Sequence, residues 1–311
     1  MLPSSIENSP SIKIIDKYSH QPFVRVFEEK QFEPAGMKET VFGDSRDVIP
    51  NMIQGYRYVT YMDGRKLPAD TLVMNYAEVA PSRRTATGLN STASDVANWI
   101  ISLQQGKLFT SKASLTRLWT PGTFNNGTPT QWALGWVTKP RPRHSAVIAT
   151  GGGRSAFFVY PNDDLAIVVL TNMAGSYPED FIDELAGYYN PDIPAADPIT
   201  TLRMQLRKKG FDPALPVYRE LQKVHPGFNA SETDLNDWAY RMMSSRQLKE
   251  ATAVFKLVTE IYPDSWNAYD SYGEALLKSG QRQEAIRMYQ QSITLNPDNT
   301  NGKKILERLQ Q

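Results

Sequence analysis

The strongest constraint on this chain is a spacing. In its C-terminal third, five residue pairs stand 34 positions apart: Trp238 and Tyr272, Ala239 and Gly273, Ala251 and Ala285, Phe255 and Tyr289, and Pro263 and Pro297. The residue types match as well as the spacing. Small residues at 239/273 and 251/285 let two antiparallel helices approach closely, and the aromatics at 255/289 fill the space between them. The prolines end the second helix of each unit, because proline cannot continue an α-helix. Gly280 ends the first helix of the second unit in the manner of a glycine just past a helix C-terminus. Two such units bury little by themselves and need cover at both ends. Pro216–Val224 predicts a helix that packs on the first unit, and Asn301–Gln310 predicts a short capping helix.

A 34-residue period with these residue types resembles the tetratricopeptide repeat. The resemblance implies an all-α domain over residues 201–311, with repeats at about 232–265 and 266–299 and a cap at 300–311. It further implies a groove lined by first-helix residues such as Asn236, Tyr240, Asn267, Asp270 and Glu274, where a peptide or a protein partner would bind. Two repeats make a small groove, so packing of the repeats on the rest of the chain is the alternative role. Upstream, Asn190–Pro198 holds three prolines and reads as a linker, placed over residues 191–200.

Residues before the linker have a different character. They are rich in Gly, Pro and Thr, with short β-branched runs. Ser11–Glu29 reads as a helix with apolar residues at Ile14, Ile15, Tyr18, Phe23 and Phe27. Thr92–Gln104 reads as a helix with a capping-box start, Thr92 followed three residues later by Asp95, and with Gly106 just past its end. From 131 onward the period changes to that of strands: Gln131–Thr138, Ser145–Thr150, Ser155–Tyr160 and Leu165–Leu170, separated by prolines, a glycine triplet and Asn162-Asp163-Asp164. This pattern predicts an antiparallel meander, with Glu179–Tyr189 as a covering helix.

Three segments of this part resemble one family. Ile14-Ile15-Asp16-Lys17 with the following QPFVRVFEEKQFEPAGMKETVFGDS is similar to the helix and loop of serine β-lactamase-like proteins. That family includes class C β-lactamases, D-alanyl-D-alanine peptidases and related esterases. ATGLNSTASDVANWI, residues 86–100, is similar to its "GGL-x-ST-x-x-D" helix start. GGGRSAFFVYPNDDLAIVVLTN, residues 151–172, is similar to its last two strands. The resemblance implies an α+β fold in which residues 1–190 form the C-terminal portion of a β-lactamase/transpeptidase-like domain with an antiparallel sheet.

The chemistry implied is nucleophilic acyl transfer on an amide or ester. In the family, a serine in Ser-x-x-Lys attacks the carbonyl, the lysine one helical turn on activates it, and the tyrosine of Tyr-x-Asn shares the proton traffic. A Lys/His-Thr-Gly strand borders the site, and a following backbone N–H helps hold the oxyanion. Ser-x-x-Lys occurs nowhere in the 311 residues. Tyr-x-Asn occurs at Tyr160-Pro161-Asn162 and Tyr188-Tyr189-Asn190, both after the strand motif and so in the wrong order for the family. Lys278-Ser279-Gly280 closes a repeat helix. The strand-motif position is Ala149-Thr150-Gly151, followed by Gly152. There Thr150 offers a hydroxyl and Gly152 an N–H, while Ala149 lacks the family's cation or acid–base group. A plain glycine turn is the competing reading of 149–153. His144 stands five residues before Ala149, about 16 Å away on an extended strand and on the opposite face, so it does not replace the missing side chain. Arg154, Arg141 and Arg143 are candidates to meet an anionic substrate, with a solvated surface as the favoured reading.

Composition narrows the remaining classes. Lys plus Arg number 34 and Asp plus Glu 33, a net charge of +1 that gives no strong field for nucleic acid. There is no cysteine, which removes disulfides, thiolate metal sites and a cysteine nucleophile together. The three histidines, His20, His144 and His225, have no partner at metal-ligand spacing, so neither metal nor cofactor is expected. The longest apolar run, Leu165–Leu170, is far below the roughly 20 residues of a membrane span. MLPSSIENSP has neither the basic start nor the apolar stretch of a signal peptide. Localisation stays open, although the resemblance implies periplasmic or secreted full-length relatives. Two expectations follow: an N-terminally truncated serine hydrolase that is inactive as this chain alone, or a non-catalytic interaction protein acting through the repeats. A hydrolase built on another serine has no Gly-x-Ser-x-Gly to support it.

Overall fold

A computed structural model describes residues 10–62, 64–75, 79, 87–109 and 111–310. Residues 1–9, which hold most of the MLPSSIENSP stretch, and Ala86, at the head of the second family-like segment, lie outside the described residues. The chain divides into two compact units, one up to Ile182 and one from Asp183. The fold is α+β: antiparallel sheets with helices in the first unit, helices alone in the second.

The first unit opens with α1 (Pro10–Ser19). The single helix expected over 11–29 is interrupted because His20 takes φ +58° and Pro22 follows. α2 then runs from Phe23–Phe27 through a π-turn, Glu28–Phe32, to Glu33–Ala35. Its aromatic residues converge: Phe23, Phe27 and Phe32 all pack on Phe42, with ring centroids 5.2–5.8 Å apart. Phe42 belongs to β1 (Val41–Phe42), which pairs antiparallel with β4 (Leu89–Asn90). Between them in sequence, β2 (Tyr56–Met62) and β3 (Arg65–Met74) form a separate antiparallel hairpin with an irregularity between Val59 and Tyr61.

α3 (Ala93–Gln104) starts where expected. The Thr92 side chain accepts the Asp95 N–H at 3.1 Å, while Gly106 lies beyond the helix end at φ +71°. Val96, Trp99, Ile100 and Leu103 recur at helical spacing and form the face turned to the core. α4 (Lys112–Trp119) is capped by Ser111.

The meander forms one four-stranded antiparallel sheet in the order β5 (Val137–Lys139), β6 (Ala146–Gly151), β7 (Ser155–Tyr160), β8 (Leu165–Leu170). β5 is shorter than the predicted 131–138 strand. Gly135 at φ +80° folds 133–136 into a turn, closed by Ala133 N–H to the Trp136 carbonyl at 2.8 Å. One sheet face contributes Val147, Ala149, Phe157, Val159, Ala166 and Val168 to the core below α3. Trp136 anchors that core. It stacks on Trp99 at 6.0 Å and meets Trp119 and Phe157 edge-on. On the other face, Ala156, Phe158 and Tyr160 are also buried.

The predicted 179–189 helix is broken into a 3-10 turn (Pro178–Asp180) and a short α5 (Ile182–Ala186). In the second unit, Ile193 is completely buried and α6 (Pro198–Lys209) begins under an Asp197 cap. A buried polar network joins this segment to α6. Thr200 donates its hydroxyl to Asp197 at 2.7 Å, Asp183 lies 3.3 Å from the same hydroxyl, and Arg203 bonds both Thr200 and Glu184. α7 (Ala214–Val224) follows.

The repeats are α8 (Glu232–Ser244), α9 (Leu248–Ile261), α10 (Trp266–Lys278) and α11 (Arg282–Leu295), with α12 (Thr300–Gln310) after them. α8, α10 and α12 begin at 232, 266 and 300, so the capping helix keeps the repeat register of a first helix. Their caps keep it too. Ser231 accepts the Asp234 N–H, Ser265 the Ala268 N–H and Asn299 the Gly302 N–H, at 2.8–3.2 Å. Ala251, Ala285, Phe255 and Tyr289 are completely buried. Gly273 has a steric reason: a Cβ there would lie 3.1 Å from the Tyr289 ring. The first repeat carries the smaller Phe255 and the larger Ala239 at the matching positions, so the helix spacing is kept by a trade between backbone and ring.

Candidate functional site

The residues matching the family's catalytic strand motif occupy the C-terminal end of β6. Ala149 pairs with Phe157, Thr150 with Ala156 and Gly151 with Ser155. Ala149 points to the Trp136 side of the sheet, where it packs in the core. Thr150 alternates to the other side and is exposed, as are Gly151 and Gly152. Gly151–Arg154 is a turn closed by the Arg154 N–H to the Gly151 carbonyl at 3.0 Å, with Gly152 and Gly153 at φ +57° and +62°. Both conformations suit glycine over any residue with a Cβ. The turn and the substrate reading are therefore compatible: the glycines make the turn, and the turn exposes the Thr150 hydroxyl at its edge.

Arg154, read from sequence as solvated surface with an anionic substrate as the other reading, is half-buried. Its guanidinium lies against the turn, 3.9 Å from where a Gly152 Cβ would sit, with Nη1 3.5 Å from the same point on Gly55. The cation that Ala149 lacks is thus present in the neighbourhood, held by a different strand end. The sequence offered Arg154 as a partner for an anion but not its contact with Gly55, which depends on the 55–56 segment. That segment docks at the end of β8: the Tyr56 N–H donates to the Asn172 carbonyl at 2.7 Å.

His144 stands apart from this edge. Its Nδ1 lies 2.7 Å from Asp163 Oδ1, and the imidazole is 9% exposed. His144 takes φ +56° to reach that partner in the turn between β7 and β8. Tyr160 is completely buried on the sheet, and Tyr188 is exposed on the turn after α5. Ser279 donates its hydroxyl to the Ala275 carbonyl at the end of α10.

The two most family-like sequence segments meet physically. Asp95 is buried and accepts the Glu39 N–H and the Thr40 hydroxyl, both at 2.8 Å, while Thr40 Oγ1 lies 2.7 Å from Ser91 Oγ. The threonine of AGMKET and the Ser-Thr-x-x-Asp of the helix start are thus one hydrogen-bonded clamp. The capping box forms in one direction only, because the Asp95 carboxylate is spent on this clamp.

The groove candidates lie on α8 and α10. The Tyr240 hydroxyl donates to Glu274 Oε2 at 3.0 Å and lies 3.2 Å from Ser271 Oγ. Burial, with Glu274 adding to it against the Ser271 bond, pushes its phenol up to about 12. Asp270 accepts the Asn299 amide at 2.6 Å. Burial chiefly raises its carboxyl above the ordinary range, and the Glu274 charge adds to this. Asn267 Nδ2 lies 3.5 Å from Glu232 Oε1. Asn236 is half-buried, and its Oδ1 has no hydrogen-bond partner among the described residues. Among the described residues there is no cluster of metal-ligating side chains, and no helix is long and apolar enough to cross a membrane.

Comparison with known proteins places both parts. The family model described as Beta-lactamase matches residues 13–187, more than half of the chain. The chain belongs to the beta-lactamase family. A Tetratricopeptide repeat model matches residues 266–299, the second of the two repeats. Penicillin-binding protein 4* of Bacillus subtilis (strain 168) is 29% identical over 143 residues, covering 45% of this chain and 32% of that protein. The chain therefore spans about a third of the length of this curated relative. Among solved structures, a penicillin binding protein from Bacillus halodurans is 18% identical with a TM-score of 0.43, over 52% of this chain and 48% of that one. FmtA from Staphylococcus aureus is 22% identical with a TM-score of 0.44, over 58% and 46%. A serine β-lactamase-like domain is thus joined in one chain to tetratricopeptide repeats.

Proposed function

We propose that residues 1–190 supply the substrate-side wall of a serine hydrolase site and that this chain alone performs no acyl transfer. The observation that supports this is the edge at Thr150–Gly152. It is exposed and carries hydroxyl and N–H donors beside Arg154, yet no Ser-x-x-Lys exists in the 311 residues to supply the attacking serine. A wall of donors holds a carbonyl or carboxylate oxygen, but the bond-making step needs an activated nucleophile. In this reading Thr150 and Gly152 face the substrate oxygens, Ala149 is packing, and the polypeptide that carries the nucleophile is not among these residues.

The test is covalent labelling of the purified, folded chain with a fluorophosphonate and with a fluorescent penicillin, the latter chosen from the name of the Bacillus subtilis relative. No adduct is expected. A stoichiometric adduct on one serine would overturn the reading, and sequencing the coding DNA upstream of Met1 for an in-frame Ser-x-x-Lys checks it independently.

A second reading, an interaction protein acting through the repeats, is favoured by one specific observation. Three first helices begin in register, at 232, 266 and 300, where the sequence alone implied two, and this supports a longer groove.

A further inference from the structure

The register of α12 changes what the repeat groove is made of. Carrying the groove positions forward by 34 residues takes Asn236 to Asp270 and on to Lys304, and takes Tyr240 to Glu274 and on to Arg308. The structure supports treating α12 as the third member of these rows. Its cap, Asn299, is equivalent to Ser265 and reaches Asp270 on α10 at 2.6 Å, and Gly302 packs against the same carboxylate. The apolar face of α12, Ile305, Leu306 and Leu309, packs with Tyr289. Lys304 and Arg308 lie off that face and are exposed. The rows therefore change sign along the unit: neutral on α8, acidic on α10, basic on α12.

We infer that this inner face binds an extended peptide segment of mixed charge, with a Lys or Arg side chain over Asp270 and Glu274 and an Asp or Glu side chain over Lys304 and Arg308. The inference rests on the reading of the repeats as an interaction module and names the partner's chemistry. Packed helices lie about 8–10 Å apart, and an extended chain advances about 3.3 Å per residue. The two charged side chains of the partner are therefore separated by about three residues. The acidic row is already desolvated on one side, which strengthens its pull on an incoming cation. Glu274 is also paired with Lys278 at 2.7 Å. That pair is solvent-facing, and such surface pairs exchange at little cost. Opposite signs on adjacent helices also fix the direction in which the segment lies, since reversal would set like charges together.

The experiment is fluorescence anisotropy of the full chain with four labelled, end-blocked peptides of equal length. One carries Lys followed by Glu at that spacing, one the reverse order, one Lys alone, and one neither charge. One of the two mixed peptides should bind about tenfold or more tighter than the neutral one, with an affinity that falls as salt rises. Glu274→Gln and Arg308→Gln should each weaken it severalfold. The charge swap Glu274→Arg with Arg308→Glu leaves Asp270 and Lys304 in place and so brings the pair on α10 and the pair on α12 each to net zero. It should abolish the salt-dependent advantage of the mixed peptide while the helical melt of the repeats is retained. Equal binding of all four peptides, or a charge swap that keeps the full advantage of the mixed peptide in a folded chain, overturns the charge assignment. Selection of full-length chain against a random peptide library separates the two readings. Binders lost on Asn267→Ala and Tyr240→Ala, but without mixed charge, keep the groove and refute its chemistry. A selection in which no binder depends on those two residues refutes both.

Discussion

Asp95 is the residue on which most of the first unit's local order converges. Its backbone N–H caps α3 on Thr92, and its buried carboxylate holds Glu39 and Thr40. Hydrogen bonds to charged groups contribute about 1.5–3 kcal/mol each, and leaving the donors buried without a partner adds to the loss. Asp95→Ala is therefore expected to lower the stability of the first unit by about 2–4 kcal/mol, measured by urea denaturation followed by tryptophan fluorescence. Thr92 and Asp95 were legible in sequence as a cap, but the clamp on Thr40 was not, because the partners lie far apart along the chain. Asp270 makes a prediction of opposite sign. Its carboxyl sits above its ordinary value of 3.8, mainly through burial, so the folded state binds the proton more tightly than the unfolded state. Stability of the repeat unit should then fall as pH rises from about that value through the raised one, with the full penalty above it. Asp270→Asn should flatten part of this slope in denaturation curves taken across the acid range. Asp237, also raised chiefly by burial, keeps the remainder.

At the scale of elements, helix spacing in the repeats depends on ring size against backbone. Gly273→Ala brings a methyl to 3.1 Å from the buried Tyr289 ring, which cannot swing aside as a surface side chain would. Overpacking costs about 1–3 kcal/mol, and the helix propensity gained is about 1 kcal/mol. The expected net effect is a loss of up to about 2 kcal/mol. Gly273→Ala with Tyr289→Phe should recover little, since the ring and not the hydroxyl makes the contact. Differential scanning calorimetry of both variants distinguishes these. The 34-residue pairing was fully legible beforehand because each partner acts through its own helix. The sheet was nearly so: strand alternation located β6, β7 and β8 to within a residue. β5 was overextended because Gly135 turns the chain out of the strand, and the long first helix was split by the left-handed His20.

For the molecule as a whole, the two units differ in how their contacts are distributed along the chain. The repeats bury neighbours in sequence, whereas β8 ends the four-stranded sheet among the described residues. The separate hairpin also leaves Tyr58, Tyr61, Leu72 and Met74 exposed. A sheet edge and exposed apolar side chains both favour association. The first unit is expected to melt early and with a dependence on protein concentration, while the repeats melt later and independently of it. Calorimetry with light scattering of the full chain checks this, and a single sharp transition of a monomer would contradict it.

The sequence by itself determined what repeats or alternates: the 34-residue register, the cap at Thr92, the antiparallel meander, and the absence of Ser-x-x-Lys. These follow from short-range periodicity, where each residue's role is set by neighbours within a turn, a pleat or one repeat. Only the tertiary structure decided which distant groups meet. It set Arg154 against Gly55, His144 against Asp163, Asp95 under Thr40, and α12 in line with α8 and α10. Such contacts depend on how whole elements pack, and no local pattern encodes a hydrogen bond between segments that become neighbours only after the core has formed.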